Sequence, residues 1–119
     1  LADMKSILLT KSEEFALRIV NLYKYLNYQK NENVMSKQLL RSGTAIGALL
    51  SEGQCAESKS DFIHKFAIAQ KECNETCYWL TLLFRSQFLT ESEYNSIHND
   101  ALELLKLLSS SIITAKKNN

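Results

Sequence analysis

The sequence contains no proline and only three glycines in 119 residues. Proline breaks the hydrogen-bond ladder of a helix, and an interior glycine costs about 1 kcal/mol relative to alanine. A chain this poor in both residues can therefore form long, uninterrupted helices. Its 45% of hydrophobic and 23% of charged residues are ordinary for a globular protein, and its length suits one domain. These features predict a single all-α domain over residues 1–119.

Apolar side chains recur every three or four residues in four stretches, as on one face of an amphipathic helix. The predicted helices span residues 11–29, 34–54, 59–87 and 91–116. Short connections between such helices favour an antiparallel up-down-up-down four-helix bundle. Capping sequences begin three of the stretches, at Thr10-Lys-Ser-Glu13, Ser58-Lys-Ser-Asp61 and Thr90-Glu-Ser-Glu93. Residues 1–3, which precede Met4, are interpreted as a cloning remnant and left out of the fold.

The second predicted helix places Gly43 and Gly47 inside its apolar pattern. On a helical wheel Gly43 lies in the central stripe with Leu39, Ile46 and Leu50, and Gly47 lies at the edge of that stripe. Close approach of a neighbouring helix would offset the cost of both glycines. The pattern therefore indicates tight helix packing and requires no ligand.

The third predicted helix is apolar on almost every side along Tyr78-Trp-Leu-Thr-Leu-Leu-Phe84. A helix of a small bundle normally has a polar outer face, so contacts with other subunits are expected to cover this one. Two nearby carboxylates, Glu72 and Glu75, are either exposed to solvent or paired with cations such as Arg41 or Lys71, as at the rim of an interface. The candidate oligomer interface comprises Ile68, Glu72, Glu75, Trp79 and Leu82.

The formal net charge of +1 argues against a strongly basic nucleic-acid binder. The symmetry of an oligomer could still multiply a small basic patch into a larger one. Lys11 and Arg18 share one face of the first predicted helix, and Lys37 and Arg41 share one face of the second. These four cations are the candidate nucleic-acid contacts. Binding of RNA or DNA is therefore the alternative to a purely structural role.

Few side chains are arranged for chemistry. Cys73 and Cys77 have a spacing that suits two metal-bound thiolates, but both fall on the core stripe and are interpreted as packing groups. A di-iron bundle needs two carboxylate-x-x-His elements; Asp61 precedes His64 in this way, whereas Asn95 precedes His98. We predict no catalytic residue, metal, cofactor or small-molecule substrate. A thiol or metal enzyme is the least favoured hypothesis.

The same composition bears on the cellular setting. No run of about 18 apolar residues is present, so no membrane-spanning segment is expected. The short apolar stretch Ile7-Leu-Leu9 is too short for the core of a secretory signal. Three cysteines in such a chain indicate a reducing, cytoplasmic location.

An ordered set of short motifs resembles one bacterial family. The motifs are Lys11-Ser-Glu-Glu-Phe-Ala16, Gln38-Leu-Leu-Arg-Ser-Gly-Thr-Ala-Ile-Gly47, Glu52-Gly53, Asp61-Phe62, Lys71-Glu72, Glu75-Thr76 and Tyr78-Trp-Leu80. From about Met4 to Ile113 the chain resembles the four helix bundle protein family, also called the 23S rRNA-intervening-sequence protein family. One position departs from that resemblance, because the family usually has Asn where this chain has Leu49. A polar contact is therefore expected to be missing there.

The resemblance implies a four-helix bundle that assembles into a ring-like homopentamer. It also implies kinship with the accessory proteins of diversity-generating retroelements, which form similar barrels and associate with nucleic acid and a reverse transcriptase. The ribosomal label of the family comes from genes that lie within 23S rRNA genes, and the family brings no catalytic residues. The sequence thus predicts a non-enzymatic, oligomeric scaffold or adaptor, with RNA or DNA binding as the alternative.

Overall fold

The computed structural model describes the backbone of residues 2–118 and the side chains of residues 7–118. Each helix packs against its neighbours in the order α1, α2, α3, α4 and back to α1, in a bundle of 49 × 21 × 19 Å. The short connections make consecutive helices antiparallel. The predicted all-α four-helix bundle is confirmed. Its helices are α1 Ala2–Tyr28, α2 Met35–Gln54, α3 Lys59–Arg85 and α4 Glu91–Lys117.

The start of α1 corrects the prediction. The helix begins at Ala2, so the Thr10-Lys-Ser-Glu13 motif lies inside it and does not cap it. Leu8 and Ser12 are both buried, which extends the inward-facing stripe of α1 back beyond this motif. Continued packing carries the helix through residues that would otherwise suit a helix start. Of residues 1–3, which were left out of the fold, Ala2 and Asp3 belong to the helical backbone.

The caps predicted for the last two helices are confirmed. The Ser58 hydroxyl accepts a hydrogen bond from the backbone N–H of Asp61 at 3.0 Å. Thr90 and Glu93 form a reciprocal capping box, with the two hydrogen bonds at 2.8 and 3.1 Å. Both motifs satisfy backbone N–H groups that have no acceptor within their own helix.

The end of α3 lies at Arg85 and not at residue 87. Gln87 adopts a φ of 70°, and the N–H of Phe88 bonds to the carbonyl of Leu83 at 2.9 Å. This left-handed residue turns the chain out of the helix. Gln87 gave no signal in the sequence because left-handed helix ends are usually marked by glycine or asparagine.

One core runs through the bundle, with contributions from all four helices. Cys77, predicted to lie on the core stripe of α3, is only half-buried, as are Phe62 and Phe84, whereas Leu83 is fully buried. The largest fully buried side chains are Phe66, Leu8, Ile19, Leu26, Leu39, Ile46, Leu50, Leu80, Leu83, Leu104, Leu108 and Thr76.

Gly43 brings α1 and α2 into close contact. A Cβ atom on Gly43 would lie 2.8 and 2.9 Å from the Cγ1 and Cγ2 atoms of Ile19, well inside van der Waals contact. Ile19 is fully buried and β-branched, so its side chain has little freedom to move away. Gly47 is less restricted, since a Cβ atom there would lie 3.4 Å from the Ser12 hydroxyl. The tight contact expected from the glycines is confirmed at Gly43.

The connection between α1 and α2 is organised by Glu32, whose side chain is nearly buried, at 7% exposure. Its carboxylate accepts hydrogen bonds from the N–H groups of Val34, Met35 and Ser36 at 3.2, 3.1 and 2.8 Å. The N-cap residue Val34 has no side-chain acceptor, so Glu32 supplies the cap of α2. The sequence does not indicate this role, because the acceptor lies two residues before the usual capping position.

We expect Gly43→Ala to lower the free energy of unfolding by about 1–3 kcal/mol, because the new methyl group must displace the buried Ile19. Gly47→Ala is the matched control, in the same helix and with the same chemical change. It should leave stability unchanged or raise it by up to about 1 kcal/mol through helix propensity. Urea unfolding of both variants measures the difference. Equal effects would contradict the assignment of the close contact to Gly43.

Candidate functional site

Arg41 on α2 and two carboxylates on α3 form a charged cluster across the two helices. Its guanidinium donates to Glu72 at 3.2 Å and also to Glu75. The indole N–H of Trp79 donates to the same Glu75 carboxylate at 3.0 Å. The carboxylates are therefore paired with Arg41 within one chain, and Lys71 makes no ion pair with either of them.

Hydrogen bonds set the charge state of this cluster. The indole of Trp79 and then the guanidinium of Arg41 lower the pKa of the Glu75 carboxyl below its ordinary value of 4.5. The hydrogen bond to Glu75 is likewise the largest cause that raises the pKa of Arg41. Both groups are charged over the neutral pH range, so the cluster is a stable ion pair and not an acid–base couple.

The remaining members of the candidate oligomer interface lie beside this cluster. Ile68, Trp79 and Leu82 are all half-buried on α3. Tyr78, whose ring meets that of Trp79 edge-on at 5.1 Å, is 57% exposed. Tyr78 is thus the most outward aromatic group of the apolar run in α3. The exposure of Tyr78 could have been predicted from the sequence. Tyr78 follows the charged Lys71 by seven residues and therefore lies on the same side of the helix.

Two candidate nucleic-acid contacts, Lys11 and Arg18, join α1 to α4. The ammonium group of Lys11 lies 3.1 Å from Glu103. The guanidinium of Arg18 lies 2.6 Å from Asp100 and also donates to the carbonyl and hydroxyl oxygens of Ser96. Their positive charges are therefore matched by carboxylates of the same chain.

The other two candidate contacts lie on α2, apart from the first pair. Arg41 is held by the charged cluster described above. Lys37 is exposed, and no polar partner is found for its ammonium group among the described side chains. The structure therefore brings the four cations together only as two pairs, one on α1 and one on α2.

Of the two cysteines interpreted as packing groups, Cys73 lies in the core, whereas Cys77 lies at its edge and has a pKa lowered by its hydrogen bond with Cys73. Cys73 is fully buried, and its thiol donates to the carbonyl of Ala101 at 3.3 Å; Cys77 is half-buried. The neighbouring Cys77 thiol and burial both raise the pKa of the Cys73 thiol. A raised pKa disfavours the thiolate that metal binding and nucleophilic attack require. Cys73 is therefore a packing group in this environment.

The histidines lie apart from one another. His64 is exposed on α3, whereas His98 on α4 is half-buried and stacks on Tyr94 with ring centroids 4.7 Å apart. Burial lowers the pKa of His98. Within residues 7–118, no three His, Cys, Asp or Glu side chains are grouped to hold a metal ion. No helix in the described part of the chain is both long and apolar enough to cross a membrane.

These features can be compared with known proteins. The model of a family described as 23S rRNA-intervening sequence protein matches residues 4–110. The chain belongs to this family. The matched segment includes the glycines of α2 and the whole Arg41–Glu72–Glu75 cluster, so the resemblance noted in the sequence is confirmed.

A solved structure supports the same assignment. The crystal structure of a protein with unknown function from the S23 ribosomal protein family of Bacteroides thetaiotaomicron VPI-5482 shares 54% sequence identity. The match covers 92% of this chain and 97% of that chain, with a TM-score of 0.91. No curated protein sequence matches the chain. Family membership therefore establishes the fold, while neither description states a biochemical activity.

Two expectations drawn from the resemblance concern single features of the chain. Leu49, the position at which the resemblance leads to an expected Asn, is half-buried and packs against the core. The loss of a polar contact there stays a prediction. The kinship with retroelement accessory proteins stays a prediction. Neither the family description nor the solved structure mentions such a role.

The lowered pKa of Glu75 predicts a pH dependence of stability. Its charged form contributes to stability above the pKa of the unfolded chain, and this contribution disappears as the pH falls through the lower folded-state pKa. Because the pair is partly exposed, Glu75→Gln should cost only about 0.5 kcal/mol near neutral pH. The difference from the wild-type protein should shrink as the pH falls below the ordinary pKa of 4.5 and vanish once Glu75 is protonated in the folded protein as well.

Urea unfolding at neutral and acidic pH measures this difference. Glu57→Gln is the control, since Glu57 is exposed and forms no ion pair within the described residues. That variant should show no pH-dependent difference. A Glu75→Gln effect that stays constant with pH would contradict the ion-pair assignment.

Proposed function

We propose that the protein is a non-enzymatic scaffold or adaptor that acts as a homo-oligomer. The observation that carries this proposal is the outer side of α3. Half-buried Trp79 and exposed Tyr78 lie there beside the charged Arg41–Glu72–Glu75 cluster. An apolar centre with a polar, hydrogen-bonded rim is the usual anatomy of a protein–protein interface. The proposed contact surface comprises Ile68, Glu72, Glu75, Trp79 and Leu82.

The placement of the reactive side chains supports a binding role over catalysis. The buried Cys73 thiol has a raised pKa, and the two histidines lie on different helices, His64 on α3 and His98 on α4. Family resemblance favours a ring-like homopentamer in the cytoplasm as the form in which the scaffold acts. In such an assembly the surface of α3 would be covered by a neighbouring subunit.

Trp79→Ala and Leu80→Ala separate the interface from the core, because the two residues are adjacent but face different ways. Leu80 is fully buried, so its truncation should lower the free energy of unfolding by about 2–5 kcal/mol. Trp79→Ala should instead weaken self-association by at least about tenfold, with a smaller loss of subunit stability.

Sedimentation measures the association, and urea unfolding measures the stability of each variant. Wild-type protein that is monomeric at micromolar concentration would refute the oligomeric scaffold. Equal effects of the two substitutions on unfolding would refute the division of α3 into core and interface sides.

Binding of RNA or DNA is a second candidate function. It is favoured by Lys37, which is exposed without a polar partner among the described side chains and lies one helical turn from the half-exposed Arg41. Rotational symmetry would repeat this small patch around a ring. The matched cations Lys11 and Arg18 would add less, because Glu103 and Asp100 offset their charge.

Fluorescence anisotropy with structured RNA and with duplex DNA tests this candidate. Binding should weaken steeply as salt is raised from about 50 to about 200 mM, since phosphate contacts release counterions. Lys37→Glu should weaken it severalfold, whereas Lys106→Glu, an equal charge change at an exposed residue of α4, should have little effect. Absence of binding at the lower salt concentration would refute the candidate.

A further inference from the structure

Two cysteines lie one helical turn apart on the side of α3 that faces α4. Cys73 is fully buried, whereas Cys77 is half-buried at the edge of the core. The thiol of Cys73 donates to the carbonyl of Ala101 on α4 at 3.3 Å, which fixes the side on which the pair lies. Solvent therefore reaches one thiol of the pair, while the protein encloses the other.

Cys77 lies away from the proposed contact surface of α3. It follows Ile68 by nine residues, and at about 100° per residue this places the two on opposite sides of the helix. One turn after Cys77, the Thr81 hydroxyl is hydrogen-bonded to Tyr94 of α4 at 3.0 Å. An oligomer formed through Ile68 and Trp79 would therefore leave the edge at Cys77 open.

The two thiols interact with each other and differ in acidity. Their hydrogen bond lowers the pKa of the Cys77 thiol, against the opposing effect of burial. The same hydrogen bond, followed by burial, raises the pKa of the Cys73 thiol. The S–H group of Cys73 can turn about its Cβ–Sγ bond and donate to a Cys77 thiolate in place of the Ala101 carbonyl. Ionisation is therefore favoured at the more exposed sulfur.

We propose that Cys73 and Cys77 form a hydroperoxide-sensitive dithiol, in which Cys77 is the reacting thiolate and Cys73 is the resolving thiol. Redox-sensor cysteines are typically accessible thiolates that lie next to a second cysteine. The pair lies on a different side of α3 from the proposed contact surface, so its chemistry is independent of the proposed scaffold function.

The reaction has two steps, with hydrogen peroxide as the simplest oxidant. The Cys77 thiolate attacks one peroxide oxygen, the O–O bond breaks, and hydroxide leaves as Cys77 becomes a sulfenic acid. The S–H bond of Cys73 and the S–O bond of Cys77 then break as an S–S bond forms and water leaves. The two sulfurs lose two electrons in total, and the peroxide is reduced to water after hydroxide takes up a proton.

Oxidation of Cys77 prepares Cys73 for the second step. The interaction with Cys77 is the largest cause of the raised pKa of Cys73. A sulfenic acid is uncharged, so it no longer holds the Cys73 proton as a thiolate does. The thiolate of Cys73 becomes easier to form when its partner is ready to be attacked.

The helix makes the resulting disulfide easy to reduce. Cβ atoms one turn apart on a helix are about 5–6 Å from each other, whereas a disulfide requires about 3.8 Å. Closure of the bond must therefore distort one turn of α3. Strained disulfides are more easily reduced by other thiols, which makes the oxidation reversible.

Peroxide treatment of the wild-type chain followed by mass spectrometry tests this dithiol. Trypsin releases residues 72–85 as one peptide with both cysteines and residues 42–59 as a separate peptide with Cys55. Cys77 should lose its free thiol severalfold faster than Cys55, although Cys55 is more exposed, because the thiolate is the reacting form. The peptide of residues 72–85 should lose the mass of two hydrogen atoms and regain it with dithiothreitol.

Two variants separate the roles of the two thiols, each made with Cys55→Ser to prevent cross-links between chains. Cys73→Ser should leave Cys77 as a sulfenic acid that dimedone traps. Cys77→Ser should slow the oxidation of Cys73 at least about tenfold, since Cys73 is buried and its thiolate is disfavoured. Circular dichroism verifies that both variants are folded, and the wild-type comparison needs neither of them.

The results distinguish the two roles. Oxidation of Cys77 that is no faster than that of Cys55 would overturn its assignment as the reacting thiolate. Wild-type protein in which Cys77 proceeds to sulfinic acid without forming a disulfide would overturn the resolving role of Cys73. Unchanged oxidation of Cys73 in the Cys77→Ser variant would contradict the order of the two steps.

Discussion

The close contact of Gly43 with Ile19 sets the arrangement of the first two helices, on which the rest of the bundle depends. No side chain separates the backbone of α2 from the buried isoleucine of α1 at this level. The same rotation of α2 points Ser42 toward α3, where the Thr76 hydroxyl donates to it at 3.0 Å inside the protein. Gly43 lowers the intrinsic stability of α2, and the packing of α2 against both α1 and α3 offsets this cost.

Polar contacts then fix α3 against α2 along most of their shared length. Lys65 pairs with Glu52 at 3.0 Å near one end, and Arg41 pairs with Glu72 further along. Exposed ion pairs of this kind contribute little stability individually. Burial of Phe66, Leu80 and Leu83 is the larger contribution, and it turns Leu80 toward the core while its neighbour Trp79 lies at the surface. The ion pairs with α2 are compatible with this rotation of α3 and add to it only weakly.

Much of this arrangement was predictable from the sequence, because long helices without proline leave few ways to bury four apolar stripes. The caps at Ser58 and Thr90 were identified correctly since their partners lie three residues away along the chain. The Thr10 motif has the same spacing yet lies within α1, because continued burial of Leu8 outweighs a local capping preference. The capping role of Glu32 could not be recognised from the sequence, because it depends on the conformation of the whole connection between α1 and α2.

The ion pairs of the chain show why its net charge says little about its surface. Its formal net charge is only +1, and several cations, such as Arg18 and Arg41, are matched by carboxylates within the bundle. Charges without such a partner lie on several helices; Glu13 on α1, Lys37 on α2 and Lys106 on α4 are exposed and form no ion pair within residues 7–118. Paired charges contribute little to the field around the bundle, so the unpaired charges decide which surfaces attract or repel a partner.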